Sequence, residues 1–250
     1  MKKKRLVKES MFLYGKNSVL ERIKSKPSTI KRIFLQDNFD VPLIIKRTKN
    51  AGIPVGYVSP RKLFALKHSR DLQGIIAEVE PFKYVPFEEL ILESGKQLSL
   101  IFLDRLYDPQ NLGVIMRTAA CFGNFAVVIP KHNACKITEA VLHVASGAEN
   151  FVPVALVSNL SNAIIKAKKY GYWVAGTVVE GEDNIFETEF IFPLGIVLGS
   201  EGKGIRSGLA KLLDSRVSIP MKGVALSLNV AMAGAIFCYE IAKRRNNRNI

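Results

Sequence analysis

Apolar positions along the chain follow two rhythms. Ile30–Leu35, Pro54–Val58 and Ile75–Val79 are short β-branched or apolar runs and read as strands. Between them, Val19–Lys24, Val41–Asn50 and Arg61–Lys67 carry helical spacing, and Ser59 before Pro60 supplies a cap and a first helical position. Together they predict a small α/β unit over residues 11–84. Residues 1–10, charged and aperiodic, are expected to be a basic disordered tail. The rhythm breaks over residues 85–96, which hold Pro86 and end near Ser94-Gly95-Lys96, so a linker is expected there.

A longer series fills residues 97–250. Leu98–Leu103 is almost continuously apolar, as suits a strand buried on both faces. Helix and strand then alternate: Leu112–Phe122, Ala126–Ile129, Ile137–Val144, Val152–Leu156, Asn159–Tyr170, Tyr172–Val178. Strands Gly195–Leu198 and Val217–Ile219 and a last helix from about Leu228 to Arg245 complete it. The fold class is therefore α/β, a parallel-sheet domain preceded by a smaller α/β domain.

The last two strands each run into a loop of small and polar residues. The first is Gly199-Ser200-Glu201-Gly202-Lys203-Gly204; the second is Pro220-Met221-Lys222-Gly223, closing at Ser227-Leu228-Asn229. Ligands of open parallel sheets sit at the carboxyl ends of strands, so these loops read as a cradle. The glycine spacing is not the dinucleotide fingerprint, and no Ser or Thr follows Lys203 as a P-loop requires. Glu201 would repel a phosphate but suits a ligand with positive charge or hydroxyls. A third stretch, Asp104–Gly123, turns at Asp108-Pro109 into a mostly apolar helix. Arg117 lies there between Met116 and Ala119, a setting in which an arginine calls for a partner such as a phosphate.

Charge changes the picture more than composition does. The net charge is +14. Residues 1–84 hold 19 Lys and Arg against 7 Asp and Glu, a net of +12, while residues 85–250 hold 17 against 15, a net of +2. A first domain this basic is expected to meet nucleic acid. The three histidines, His68, His132 and His143, have no ligand spacing, and Cys121, Cys135 and Cys238 have no CxxC; neither zinc nor disulfides are expected, and a reducing, cytoplasmic setting is. No run of eighteen apolar residues suggests a membrane span.

Taken together, the three stretches resemble the motifs of the SpoU family of RNA ribose 2′-O-methyltransferases, within the SPOUT superfamily. Asn111-Leu112-Gly113 through Arg117-Thr118-Ala119 and Phe122-Gly123 is similar to the first motif. Leu198-Gly199-Ser200-Glu201-Gly202 with Gly204 is similar to the second. Ile219-Pro220-Met221 with Ser227-Leu228-Asn229-Val230 is similar to the third. Residues 11–84 resemble the substrate-binding domain of the rRNA-modifying members, through Tyr14-Gly15 and Ala51-Gly52-Ile53-Pro54-Val55. The chain departs from the family at Ala231, where serine is frequent, and at Leu72-Gln73-Gly74, where His-Gln-Gly is.

The resemblance implies a C-terminal trefoil knot, S-adenosylmethionine as cofactor, and a homodimer through the catalytic domain. It implies cofactor contacts at Thr177, Gly199, Gly202, Ile219, Met221 and Leu228, and catalytic roles for Arg117, Asn111, Glu201, Ser227 and Asn229. The expected reaction is 2′-O-methylation of an RNA ribose, with 23S rRNA the expected target and the guanosine-modifying branch the nearest. A tRNA 2′-O-methyltransferase and a non-enzymatic RNA-binding ribosome-assembly protein are the alternatives. A nucleotide-binding oxidoreductase is disfavoured by the missing fingerprint. Arg117 is expected to clamp a phosphate rather than act as base, because a guanidinium is too weak an acid to give up its proton at neutral pH.

Overall fold

The computed structural model describes residues 10–92, 98–180, 183–200, 202–223 and 227–247. The tail expected at residues 1–10 lies almost wholly outside them. Two compact units emerge, and their limits differ from the linear boundaries read above: one takes residues 1–83 together with 137–150, the other 84–136 and 151–250.

The first unit starts with β1 (Met11–Tyr14), α1 (Lys16–Ser25), β2 (Ile30–Gln36), α2 (Pro42–Asn50), β3 (Val55–Val58), α3 (Pro60–Leu66) and β4 (Ile75–Val79). Its sheet runs β1-β4-β2-β3, with β4 antiparallel to β1 and β2 and β3 parallel to β2. Pro42 and Pro60 open α2 and α3, where the missing N–H costs nothing, and the Ser59 hydroxyl accepts from the Lys62 amide. β1 escapes the sequence pattern because four residues, MFLY, show no alternation.

The second unit holds α4 (Phe87–Leu92), β5 (Ser99–Leu103), α5 (Pro109–Phe122) and β6 (Phe125–Pro130). After α6 (Glu139–Ala145), which belongs to the first unit, come β7 (Val154–Val157), α7 (Leu160–Lys169), β8 (Trp173–Val178), β9 (Asp183–Asn184), β10 (Leu194–Leu198), α8 (Ser207–Ala210), β11 (Ser215–Ser218) and α9 (Val230–Asn247). Its seven strands are ordered β7-β6-β5-β10-β8-β11-β9, every pairing parallel. All residues of β5, β6 and β10 are buried, which explains their nearly continuous apolar runs.

Two expectations are corrected. The stretch 85–96 is not simply a linker: Val85 pairs with Ala155, and α4 buries Phe87, Leu90 and Ile91 in the core beside Phe102 and Ile164. Helix α6, expected inside the catalytic domain, packs on β1 instead. There the Glu139 carboxylate accepts from the Phe12 amide at 3.1 Å and from Lys67 at 2.5 Å. The His143 ring stacks on Tyr14, centroids 4.2 Å apart. Its Nδ1 lies 3.1 Å from the Tyr14 carbonyl, an acceptor, so Nδ1 carries a proton and donates it there. A buried ion pair, Arg22–Glu149 at 3.2 Å, closes the segment onto α1.

Candidate functional site

The two glycine-bearing loops do not leave adjacent strands. β8 stands between β10 and β11, so its C-terminal end, with Thr177, lies between the two loops. The first loop folds back on itself: the Ser200 amide donates to the Gly204 carbonyl at 3.1 Å and the Gly204 amide to the Ser200 carbonyl at 2.9 Å. A Cβ on Gly199 would lie 2.3 Å from the Gly204 carbonyl carbon and 2.5 Å from the Ile205 nitrogen, so only glycine permits this closure. Gly202 and Gly204 have φ of 75° and 59°, the left-handed region that favours glycine.

A latch from the neighbouring strand holds the loop. Asp104, at the end of β5 and fully buried, accepts from the Arg206 amide at 3.0 Å, from Arg206 Nε at 2.8 Å, and pairs with a terminal guanidinium nitrogen at 2.8 Å. The Asp104 amide donates to the Leu198 carbonyl at 2.9 Å, so β10 and its loop are fixed from both ends by one residue. Sequence reasoning passed over Asp104. Its signal was a lone carboxylate directly after five buried residues, which a strand end tolerates only with a partner.

Between the loops lies a cavity of about 520 Å³. All six residues expected at a cofactor line it: Thr177, Gly199, Gly202, Ile219, Met221 and Leu228. Ser227 and Asn229 line it too, while Ile205, Val230 and Phe237 give it apolar walls. The Thr177 hydroxyl donates to the Val197 carbonyl at 3.2 Å, which ties β8 to β10 at the cavity's edge. The volume and the mixture of apolar walls, hydroxyls and glycine backbone suit a molecule the size of an adenosine conjugate.

Beside the cavity, Asn229 joins α9 to α5. Its Oδ1 accepts from the Ala231 and Met232 amides at 2.8 and 3.4 Å, capping α9. The cap fixes the amide's orientation, so Nδ2 must face the other way, where it donates to Asn111 Oδ1 at 3.0 Å. Asn111 is buried in the first turn of α5. Arg117 lies on the exposed side of the same helix, whereas its neighbours Met116 and Ala119 face the core. Among the described residues it makes no ion pair or side-chain hydrogen bond, so the partner inferred from its apolar neighbours is not supplied by them. Glu201 lies outside the described residues.

Comparison with known proteins fits this geometry. Residues 99–239 match the SpoU rRNA Methylase family and residues 12–85 the RNA 2′-O ribose methyltransferase substrate-binding domain. The chain belongs to the SpoU family of RNA methyltransferases. It is 34% identical over 94% of its length to a Bacillus subtilis protein assigned to the TrmH family of tRNA/rRNA methyltransferases, covering 96% of that protein. It is 32% identical over 93% of its length to the 23S rRNA (guanosine-2′-O-)-methyltransferase of Pseudomonas putida, covering 96% of that one. In fold it is similar to the SpoU methyltransferase AviRb of Streptomyces viridochromogenes, solved with AdoMet: TM-score 0.80, 19% identity, 96% and 92% of the two chains covered. Among the described residues no helix is long and apolar enough to cross a membrane.

Proposed function

We propose that this chain methylates a ribose 2′-hydroxyl of 23S rRNA, and that Thr177, Gly199, Gly202, Ile219, Met221 and Leu228 hold its S-adenosylmethionine. The observation that carries the reading is that one cavity gathers these six residues with Ser227 and Asn229, next to the Asn229–Asn111 bond. Bound there, the cofactor supplies a methyl group on a positive sulfur, which needs no further activation.

The remaining work is alignment and removal of one proton. Alignment is worth roughly 7–11 kcal/mol when a bimolecular step becomes intramolecular. Arg117, exposed and uncommitted among the described residues, offers a planar fork to the phosphate beside the target ribose. It holds that phosphate in place, and the hydroxyl proton passes to the phosphate or to water. The Asn111–Asn229 pair and Ser227 orient the hydroxyl.

The same reading makes the enzyme a cytoplasmic homodimer. Phe122 on α5 and Met232 and Tyr239 on α9 are large exposed apolar side chains on two helices packed together, and Phe122 and Tyr239 meet edge to face at 5.9 Å. Such a face suits a second copy. A trefoil knot of the C-terminal part is consistent with β10 lying between β5 and β8, both earlier in the chain.

Calorimetric titration with S-adenosylmethionine, followed by methyl transfer to unmodified 23S rRNA and to unmodified tRNA, tests the reading. Saturable binding and transfer to rRNA are expected. No cofactor binding, or transfer to tRNA alone, would overturn the activity or the substrate respectively.

A further inference from the structure

The first loop also forms one wall of a second pocket, of about 400 Å³, lined by Arg105, Ser161, Lys203, Arg206 and Ser207 among others. Among the described residues its lining contains three cations and no carboxylate. Asp104, adjacent in the chain to Arg105, is fully buried, with its oxygens already engaged by Arg206. Lys203 is exposed and has no ion-pair partner among the described residues. Arg105 is held in a left-handed backbone conformation, φ 57°, that non-glycine residues seldom adopt outside constrained sites. Its Nη2 reaches the Gly204 carbonyl at 3.5 Å. Its Nε is buried, makes no hydrogen bond, and stands 3.9 Å from Asp104. Asp104 supplies one negative charge to Arg206 and Arg105 together, so the cluster keeps an excess of positive charge that an anion in the pocket would offset.

We propose that this pocket binds a backbone phosphate of the RNA substrate, gripped by Lys203 and Arg105 with the Ser161 hydroxyl as a further donor. The proposal rests on the methyltransferase reading above. RNA is favoured over a small anion because the pocket and the cofactor cavity share a loop. Gly202 and Gly204 line the cavity, and Lys203 between them lines the pocket. A strand that brings a ribose to the cavity carries phosphates on either side of it, and one of them can be held here. The residues lie in the catalytic unit, whose net charge alone does not announce an RNA contact.

The test uses the full-length protein and fluorescein-labelled oligouridylate, with affinity measured across a salt series. Lys203→Ala removes one cation. Ser161→Glu places a carboxylate in the pocket from α7, away from the cofactor loop, and an acid in a first helical turn is tolerated. Each variant should weaken RNA binding and reduce the slope of log affinity against log salt by about 0.7, the value for one phosphate on a single strand. Ser161→Glu should leave S-adenosylmethionine affinity without RNA unchanged. Unaltered RNA affinity and slope in both variants overturn the proposal, while wild-type cofactor binding and methyl transfer would leave the activity standing. If both variants abolish binding of inorganic pyrophosphate yet leave the RNA slope intact, the pocket serves a free anion and the RNA assignment fails.

Discussion

At the scale of single residues, Asp104 carries more than its sequence context suggests. Its carboxylate organises the loop that walls the proposed cofactor cavity, through a backbone amide and a guanidinium. Asp104→Asn keeps the shape but removes the charge and one acceptor. Charge-assisted bonds are worth roughly 1.5–3 kcal/mol each, so S-adenosylmethionine affinity should fall about tenfold or more, measurable by calorimetry. An unchanged affinity would mean that the loop holds itself. Arg117 separates binding from chemistry in the opposite sense. Arg117→Ala should abolish methyl transfer and leave cofactor affinity intact, and Arg117→Lys should rescue little, because a point charge cannot replace a planar fork. Substantial activity in the lysine variant would refute the clamp. Gly199→Val should also abolish cofactor binding, but for a reason the sequence did not contain: its side chain would strike the loop's own backbone at Gly204 and Ile205.

At the scale of elements, α6 and the turn after it show how a segment can belong to one domain in sequence and another in space. Glu149 is buried, and desolvation raises its carboxyl above the ordinary range, only partly offset by Arg22. Arg22→Met would leave that carboxylate without its cation. Breaking a buried pair from one side costs about 3–5 kcal/mol, so urea denaturation should show the first unit strongly destabilised. The pH dependence has a definite sign. A carboxyl raised on folding contributes stability below its unfolded value, and that contribution is lost as pH rises through the folded value. The deficit of Arg22→Met should therefore be larger at pH 7 than at pH 5; equal deficits would argue against an uncompensated charge. Cys238 in α9 provides a second check on packing. Burial pushes its thiol up to about 12, so in the native protein it should resist alkylation while exposed Cys121 reacts.

At the scale of the whole molecule, the charge asymmetry and the apolar face of α5 and α9 are the features to test. The +12 carried by residues 1–84 should make RNA affinity strongly salt-dependent. Deleting those residues is a poor test, because it strips α6 of β1 and leaves Glu139 and Glu149 without Lys67 and Arg22. Reversing Lys46, Arg47 and Lys49 in the intact chain avoids that. It should flatten the salt slope and leave S-adenosylmethionine affinity unaffected; a constant slope would move RNA binding to other surfaces. Met232→Glu with Tyr239→Asp should convert a sedimenting dimer to monomer, and a dimer that survives both would place the interface elsewhere.

The sequence by itself determined the local structure and the candidate chemistry. The almost continuous apolar run at Leu98–Leu103 pointed to a strand covered on both faces, Asp108-Pro109 to a helix start, and the loops at Gly199 and Pro220 stood where a parallel sheet places its ligands. Periodicity and capping are properties of neighbours in the chain, so they are legible there. What only the tertiary structure decided were relations between distant positions. The placing of β8 between β10 and β11 puts Thr177 at the cavity. The Asp104–Arg206 latch spans a sequence gap of 102 residues, and the Asn111–Asn229 bond spans 118. The transfer of residues 137–150 to the first unit is of the same kind. Each depends on side chains meeting across a sheet or a core, where burial makes an unpaired charge or amide costly, and no local pattern encodes which partner meets that cost.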